Sequence, residues 1–269
     1  MKEYHFFKQN QNNKILTIKI SRLEALNALS TEVVTELGQL IDDVSKMIDD
    51  VWVVIFTGDG DKSFVAGGDI KEMYVKNPDE AVAYAQLGQS VLYKIENMPQ
   101  PTIAAVNGFA LGGGTELAMA FDIRIASNKA VFGQPETGLG IIPGFAGTQR
   151  LPRLVSKSDA KWLIFSSDRI NAEEALRIGL VSRVVPHEQL MNEAMKMAKK
   201  IASNSPYAVR LAKKSINQGL EMDFWSGNIY ERHVFGLCFT NEDQVEGMRA
   251  FIDKDKVTFT GNALSKGKQ

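Results

Sequence analysis

Two hydrophobic periods alternate along the chain. Lys14-Ile-Leu-Thr-Ile-Lys-Ile20 runs with a period near two, as a half-buried strand does. Over 31–47 the period is helical: Val33, Val34, Leu37, Leu40, Ile41 and Val44 share a face, and Ser30 or Thr31 can cap the first turn. Val51-Trp-Val-Val-Ile-Phe-Thr57 is apolar without alternation, the pattern of a strand covered on both faces, and Gly58-Asp-Gly-Asp61 closes it as a turn. A second helix is predicted over about 78–96, stopped by Pro99 and Pro101, and Thr102-Ile-Ala-Ala-Val106 predicts another buried strand. A Gly-rich turn, a helix over 115–121, a strand over 122–126, a loop and Val131-Phe132 follow.

Strands alternating with helices between about 14 and 155 predict an α/β region of parallel strands with right-handed crossovers. After Ser156 the pattern is helical alone, over 158–166, 172–179, 188–203, 206–219 and 223–239. The chain thus reads as a βα core with an all-helical C-terminal part. Residues 261–269 are polar and aperiodic, which predicts a loose tail.

With 269 residues, 44% hydrophobic and 23% charged, there is material for one large domain or a domain with a small appendage. Thirty-one basic and 32 acidic residues leave a net charge of −1, so no global field draws the chain to nucleic acid or an anionic membrane. An anionic ligand must then be met by local groups. Cys238, the one cysteine, cannot form an internal disulfide, which fits a reducing compartment; lying in an apolar run, it reads as a small buried hydrophobe. The N-terminal residues show no signal-peptide pattern and no window approaches the ~20 apolar residues of a membrane span, so a cytoplasmic location is expected.

The candidate chemistry begins at Asn107-Gly-Phe-Ala-Leu-Gly-Gly-Gly-Thr-Glu-Leu-Ala-Met-Ala120. Three glycines between a strand and a helix cost backbone entropy; they suit either a tightly packed turn or bare N–H groups turned toward a ligand oxygen. Neither nucleotide-loop pattern fits their spacing. Glu116 lies in the first turn of an otherwise apolar helix, where a carboxylate needs a partner or a task. Twenty positions on, Phe132-Gly-Gln-Pro-Glu-Thr-Gly-Leu-Gly140 places Glu136 in a loop directly after a strand. Two carboxylates at one end of a sheet suit general acid–base work when their surroundings set their pKa values apart. Ser63-Phe-Val-Ala-Gly-Gly-Asp-Ile-Lys-Glu-Met73 again joins glycines to a helix start. Its N–H groups, if aimed with those of Gly112–Gly114 at one pocket, would make an oxyanion hole.

Ala66-Gly-Gly-Asp-Ile-Lys71, the segment 104–119, Phe132-Gly-Gln-Pro-Glu136 and Ile142-Pro-Gly-Phe-Ala-Gly-Thr-Gln-Arg-Leu151 together resemble the enoyl-CoA hydratase family of the crotonase superfamily. The resemblance runs from Leu16 to about Phe259. It implies an α/β crotonase-like ββα spiral core over 1–200, and a C-terminal helical region over 201–269 that forms trimers and covers CoA. It implies reversible syn hydration of a short- or medium-chain trans-2-enoyl-CoA, the chemistry of fatty-acid β-oxidation, with no cofactor beyond the CoA of the substrate.

By position, the N–H groups of Gly68 and Gly113 would hold the thioester oxygen. Glu116 and Glu136 would grip one water, Glu116 as base and Glu136 as proton donor at Cα. Ala25, Leu26, Ala66, Asp69 and Ile70 would fold around the adenine end of CoA, and Lys71, Gly112, Pro135, Leu139 and Gly144 would complete the substrate and CoA site. Lys254 would reach CoA from a neighbouring subunit of a homotrimer or of a hexamer of paired trimers.

Three departures from the family pattern stand out. Arg22-Leu23 replaces an Arg-Pro pair, loosening a turn at the adenine end. Gly68 stands where many relatives have alanine, and Ala146 replaces a frequent glycine beside Phe145, which bears on substrate size.

His5, His187 and His233 are scattered and support neither a metal site nor a catalytic triad. Trp52, Trp162 and Trp225 read as core or interface. Lys196, Lys199, Lys200, Lys213 and Lys214 read as a solvated helix face. The alternatives to a hydratase are a double-bond isomerase of the same superfamily and a non-catalytic acyl-CoA- or RNA-binding relative. Two intact glutamates weigh against a dead site, and the absence of an aromatic–basic stripe against nucleic acid.

Overall fold

Asn13 and Lys14 turn the chain between β1 (Phe7–Asn12) and β2 (Ile15–Ile20), an antiparallel pair in which Asn12 faces Ile15. The computed structural model describes residues 2–263. Ser30 caps α1 (Thr31–Ser45) by accepting the Val33 N–H, and the helix buries the six apolar residues of the stripe in its sequence.

Three times the chain then makes a strand, a three-residue strand and helix. The first unit is β3 (Val53–Gly58), β4 (Ser63–Val65), α2 (Ile70–Met73) and α3 (Pro78–Asn97). The second is β5 (Thr102–Val106), β6 (Phe109–Leu111) and α4 (Gly113–Met119). The third is β7 (Ile123–Ser127), β8 (Val131–Gly133), a 3-10 turn over Pro135–Leu139 and α5 (Gly147–Leu154). Next come α6 (Lys157–Ser166), β9 (Arg169–Asn171), α7 (Ala172–Arg177), β10 (Arg183–Val185) and α8 (Leu190–Ala202). The described chain ends with α9 (Pro206–Leu220), α10 (Phe224–Cys238) and α11 (Glu242–Asp253).

The first strand of each unit enters a six-stranded sheet of order β1-β2-β3-β5-β7-β10, parallel from β2 onward. The second enters a four-stranded sheet of order β4-β6-β8-β9, parallel except at β9. β3 and β5 are buried throughout, as their unbroken apolar runs require. One face of the large sheet packs on α1, α3 and α4 around Phe56, Phe64 and Phe121; α8 covers the other through Leu190, Ala194 and Ala198.

Several expectations are corrected. The segment after Ser156 is not all helical: β9 and β10 lie in it and extend both sheets. Strands of three residues are too short to show a period. Lys213 is not solvated; its Nζ is buried, 2.8 Å from Asp122 Oδ2 and 3.0 Å from the Gln100 carbonyl. The tryptophans divide: Trp52 is half-buried against the core under α8, whereas Trp162 and Trp225 are exposed on this single chain. Cys238 is half-buried rather than buried. Of the 261–269 tail, residues 264–269 lie outside the described residues.

Along α9–α11, Leu220, Phe224, Trp225, Phe235, Phe251 and Ile252 all stand exposed, a wide apolar face on this single chain. Among the described residues, no helix is long and apolar enough to cross a membrane.

Candidate active site

β4, β6 and β8 run parallel in one sheet, so the segments leaving their C-terminal ends emerge together, the usual place for a ligand in such sheets. Those segments are Ala66-Gly67-Gly68, Gly112-Gly113 and Gln134-Pro135-Glu136. Every core position of the expected site is therefore brought to one end of the small sheet.

Backbone clamps hold the first two segments. Leu29 donates its N–H to the Gly67 carbonyl at 2.8 Å and accepts from Asp69 N–H at 2.9 Å, bracketing Gly68. Tyr84 Oη donates to the same Leu29 carbonyl at 2.7 Å. Gly113 opens α4, so its N–H has no acceptor within the helix. The β-carbon direction of Gly113 points to within 3.5 Å of the Gly68 nitrogen, so the two candidate donors adjoin. Thr115, buried behind them, donates to the Ala110 carbonyl at 2.5 Å and lies 2.9 Å from that of Gly133, locking β6 to β8.

Two of the three consecutive glycines have separate causes. Gly112 has φ +50°, and a β-carbon there would lie 2.7 Å from Glu136 Oε1. Gly114 is pressed against β4, where a β-carbon would meet the Val65 carbonyl oxygen at 1.9 Å.

Glu116 and Glu136 are both buried, 2% and 8% exposed. Glu116 Oε1 accepts from the backbone N–H groups of Phe145, at 2.8 Å, and Gly147, at 2.6 Å. Arg150 fixes that loop by donating to the Phe145 carbonyl and pairing with Glu96, each at 3.0 Å. Glu136 sits on the 3-10 turn, whose Thr137 and Gly138 are tied to Ser167. It is thus a buried residue and not a solvated turn acid.

Burial raises the pKa of both carboxyls well above the ordinary carboxylate range, and the charge of Glu136 raises Glu116 further. Two buried carboxyls that repel each other cannot both ionise cheaply, so the pair retains a proton into the neutral range. The two backbone N–H donors on Glu116 offset part of its rise, because they favour the ionised form. The arrangement can therefore offer one base, one acid and two oxyanion donors in one pocket.

The expected CoA positions fall into three groups. Ala25, Leu26, Ala66, Asp69, Ile70 and Lys71 come together: Ala66 N–H donates to the Leu26 carbonyl, and Arg22 bridges the loops through an ion pair to Asp69 at 2.9 Å. Even without the proline, Leu23 lies in a short 3-10 turn over Leu23–Ala25. Pro135 and Leu139 lie on the 3-10 turn that carries Glu136, with Leu139 exposed, and Gly144 precedes Phe145, its carbonyl accepting from Gln89 at 2.8 Å. Lys254 stands apart. It caps the C-terminal end of α11, and among the described residues no hydrogen bond or ion pair joins it to the site.

Sequence reasoning passed over Gln134, Tyr84 and the backbones of Phe145 and Gly147. The first and the last two lie inside the motifs quoted above, but nothing in a residue type shows which N–H will meet a distant carboxylate. Among the described residues, no group of three or more His, Cys, Asp or Glu side chains could hold a metal ion.

Residues 10–262 match the enoyl-CoA hydratase/isomerase family. The chain is 50% identical to a short-chain-enoyl-CoA hydratase of Clostridium acetobutylicum, over 92% of this chain and 94% of that one. It is likewise 50% identical to a crotonyl-CoA hydratase of Syntrophomonas wolfei, over 93% and 95%. A crystal structure of an enoyl-CoA hydratase from Bacillus anthracis superimposes with a TM-score of 0.92 at 39% identity, covering 96% of this chain and all of that one. Fold, sequence and site agree, and the chain belongs to the enoyl-CoA hydratase/isomerase family.

Proposed function

We propose that this protein is an enoyl-CoA hydratase, a hydro-lyase that adds water reversibly across the 2,3 double bond of a trans-2-enoyl-CoA to give the 3-hydroxyacyl-CoA. The observation that carries the reading is the pair of buried glutamates beside two adjoining backbone donors. A base for water, an acid for carbon and a cradle for a developing enolate are what this addition needs, and an isomerase has no use for a second carboxylate gripping water. The relatives named for short-chain and crotonyl substrates favour a four-carbon acyl group among the short and medium chains.

In the proposed reaction the thioester oxygen accepts from the N–H groups of Gly68 and Gly113. Water attacks C3 as Glu116 takes one of its protons. Electrons move through C2 onto the thioester oxygen, and C2 takes the Glu136 proton on the same face. Glu116 ends protonated and Glu136 ionised, and a proton passed back between them through the next water restores the start.

The oxyanion donors lower the barrier because they are fixed before charge develops. Ala25, Leu26, Ala66, Asp69, Ile70 and Lys71 take the CoA end, and Gly112, Pro135, Leu139 and Gly144 the acyl end.

The exposed apolar face of α9–α11 supports a homotrimer or a hexamer of paired trimers, with the region 201–269 as the assembling part and Lys254 reaching a neighbour's CoA. Sedimentation of the purified protein tests the assembly. Loss of the conjugated-enone absorbance of crotonyl-CoA tests the activity; no hydration of any four- to eight-carbon enoyl-CoA would refute it.

A further inference from the structure

The N–H groups of Phe145 and Gly147 both reach one oxygen of Glu116, Oε1, at 2.8 and 2.6 Å. Between them Ala146 is left-handed, with φ +73° and ψ 24°. A left-handed residue flanked by two donors turns both to one side, a concave backbone nest of the kind that holds anions. The nest sits tightly on its acid: a β-carbon on Gly147 would lie 2.9 Å from the same oxygen. In the proposed reaction this leaves Oε2 to meet the water.

Arg150 closes the nest from behind. Its backbone N–H donates to the Ala146 carbonyl at 2.8 Å, and its Nη1 to the Phe145 carbonyl at 3.0 Å. Nη2 pairs at 3.0 Å with Oε2 of Glu96, at the C-terminal end of α3. Asn217 of α9 holds that end by donating to the Glu96 carbonyl at 2.8 Å. The buried Nε–H of Arg150 meets no acceptor among the described residues, and an unsatisfied buried donor costs stability. The bonds alone do not call for a charged side chain. What arginine adds is a positive charge beside two buried carboxyls.

We propose that Arg150 is a positioning residue for Glu116: it locks the Phe145-Ala146-Gly147 nest and supports the ionised carboxylate with its charge, while Glu96 holds the guanidinium in place and moderates that charge.

The inference deepens the hydratase reading and rests on it, because that reaction needs Glu116 as an ionised base. The titratable and charged groups that face Glu116 are Glu136 from the 3-10 turn, Tyr84 from α3 and Arg150 from α5. β4, β6 and β8 bring none. Burial keeps Tyr84 neutral, and Asp69 and Glu72 at α2 act on it. Of these groups only Arg150 favours the ionised form of Glu116. Glu96 also faces Lys213 of α9, whose ammonium is already paired with Asp122.

The test compares wild type with Arg150→Met and Glu96→Gln in the full-length protein. Methionine removes the charge and the bond to Phe145. Glutamine keeps an acceptor for Arg150 and removes only the charge that moderates it. Two readouts are used: the acid limb of kcat for crotonyl-CoA hydration, and the pH midpoint of the protonated-carboxyl infrared band assigned by Glu116→Gln. Both follow the first ionisation of the glutamate pair. For Arg150→Met both are expected to move up by about one pH unit. Its kcat is expected to fall at least ~10-fold with KM within about threefold. For Glu96→Gln both are expected to move down, by about half a pH unit.

A side chain that only braced the loop would lower kcat and leave both readouts in place. That result overturns the proposal, and so do shifts of the same sign in the two variants. If Arg150→Met does not fold, Glu96→Gln decides alone: a lowered midpoint supports the proposal, and an unmoved or raised one overturns it. The infrared midpoint needs no turnover. A wild type inactive on enoyl-CoA therefore defeats the functional reading alone, and midpoints that fail this pattern defeat the role of Arg150 alone.

Discussion

Glu136 lies against Gly112 so closely that no side chain fits between them: a β-carbon on Gly112 would stand 2.7 Å from Glu136 Oε1. The same glycine has φ +50° and ψ −121°, a conformation open to glycine and outside the left-handed helical basin that other residues occasionally enter. It also accepts Glu116 N–H on its carbonyl at 3.0 Å, so the backbone that makes room for one acid starts the helix that carries the other. Gly112→Ala should therefore cost on the order of 1–3 kcal/mol of stability or more and, by displacing Glu136, at least ~100-fold in kcat. Urea unfolding and steady-state hydration of crotonyl-CoA measure the two losses. An active, stable variant would mean that Glu136 is mobile.

Replacing Glu136 by glutamine should lower kcat by at least ~100-fold while leaving binding of a saturated acyl-CoA nearly unchanged, since it removes acid–base help but little contact. The same substitution should show in stability. Both buried carboxyls hold protons more tightly in the folded chain than in the unfolded one. Stability from this source is thus fully present below the unfolded carboxylate pKa and is lost as pH rises through the folded values. Glu136→Gln should melt above wild type at about pH 8, and the gap should close toward about pH 5. Calorimetry across that range measures it, and a constant gap would contradict buried, proton-retaining carboxyls.

Much of the fold could be read from periodicity, and its limits are physical. The buried strand over Thr102–Val106 and the helix over Pro78–Asn97 follow from an unbroken apolar run and from a proline stop. Of the second sheet only Val131-Phe132 of β8 was legible; β4, β6 and β9 escaped because they are three residues each. Glu116 stood out as an acid on an apolar helix, whereas the clamp on it could not, because Phe145 and Gly147 act through their backbones.

Lys213 shows the opposite failure. A lysine in a helical run of lysines reads as solvated, yet its ion pair with Asp122 pins α9 to the start of β5, where Asp122 also accepts Thr102 N–H at 2.7 Å. Lys213→Met should cost about 2–3 kcal/mol, because it leaves a partly buried carboxylate unpaired. Adding Asp122→Asn should recover part of the loss. Denaturant midpoints of the two single variants and the double variant decide this, and strictly additive losses would show that the pair is not coupled.

Ala146 has φ +73° and lies between the two residues that hold Glu116. Strain of about 1–2 kcal/mol is set against about 0.4–1 kcal/mol of unfolded-state entropy that a glycine adds. Ala146→Gly should therefore stabilise the protein by about 0.5–1 kcal/mol. The gain is read as a raised denaturant midpoint at unchanged slope, and a lowered midpoint would show that the Ala146 methyl makes a contact worth more than its strain.

Gly68 is the counter-case to Gly112, although both border the same pocket. Its φ is not positive, so alanine needs no rare backbone conformation there. A β-carbon would lie 3.0 Å from Met73 Sδ and 3.2 Å from Tyr84 Oη. Met73 is unbranched and can withdraw its sulfur. Tyr84 is held by its bond to the Leu29 carbonyl and by its packing on Phe145, with ring centroids 5.0 Å apart, so the adjustment falls on Met73. Only the N–H of residue 68 serves the proposed oxyanion hole, and Leu29 fixes the backbone on both sides of it. Gly68→Ala should hold kcat within about threefold of wild type, as expected where a backbone donor is kept. Gly68→Pro, which deletes that donor, should lose about 100-fold or more. Equal losses in the two variants would mean that shape at residue 68, and not its N–H, is what turnover requires.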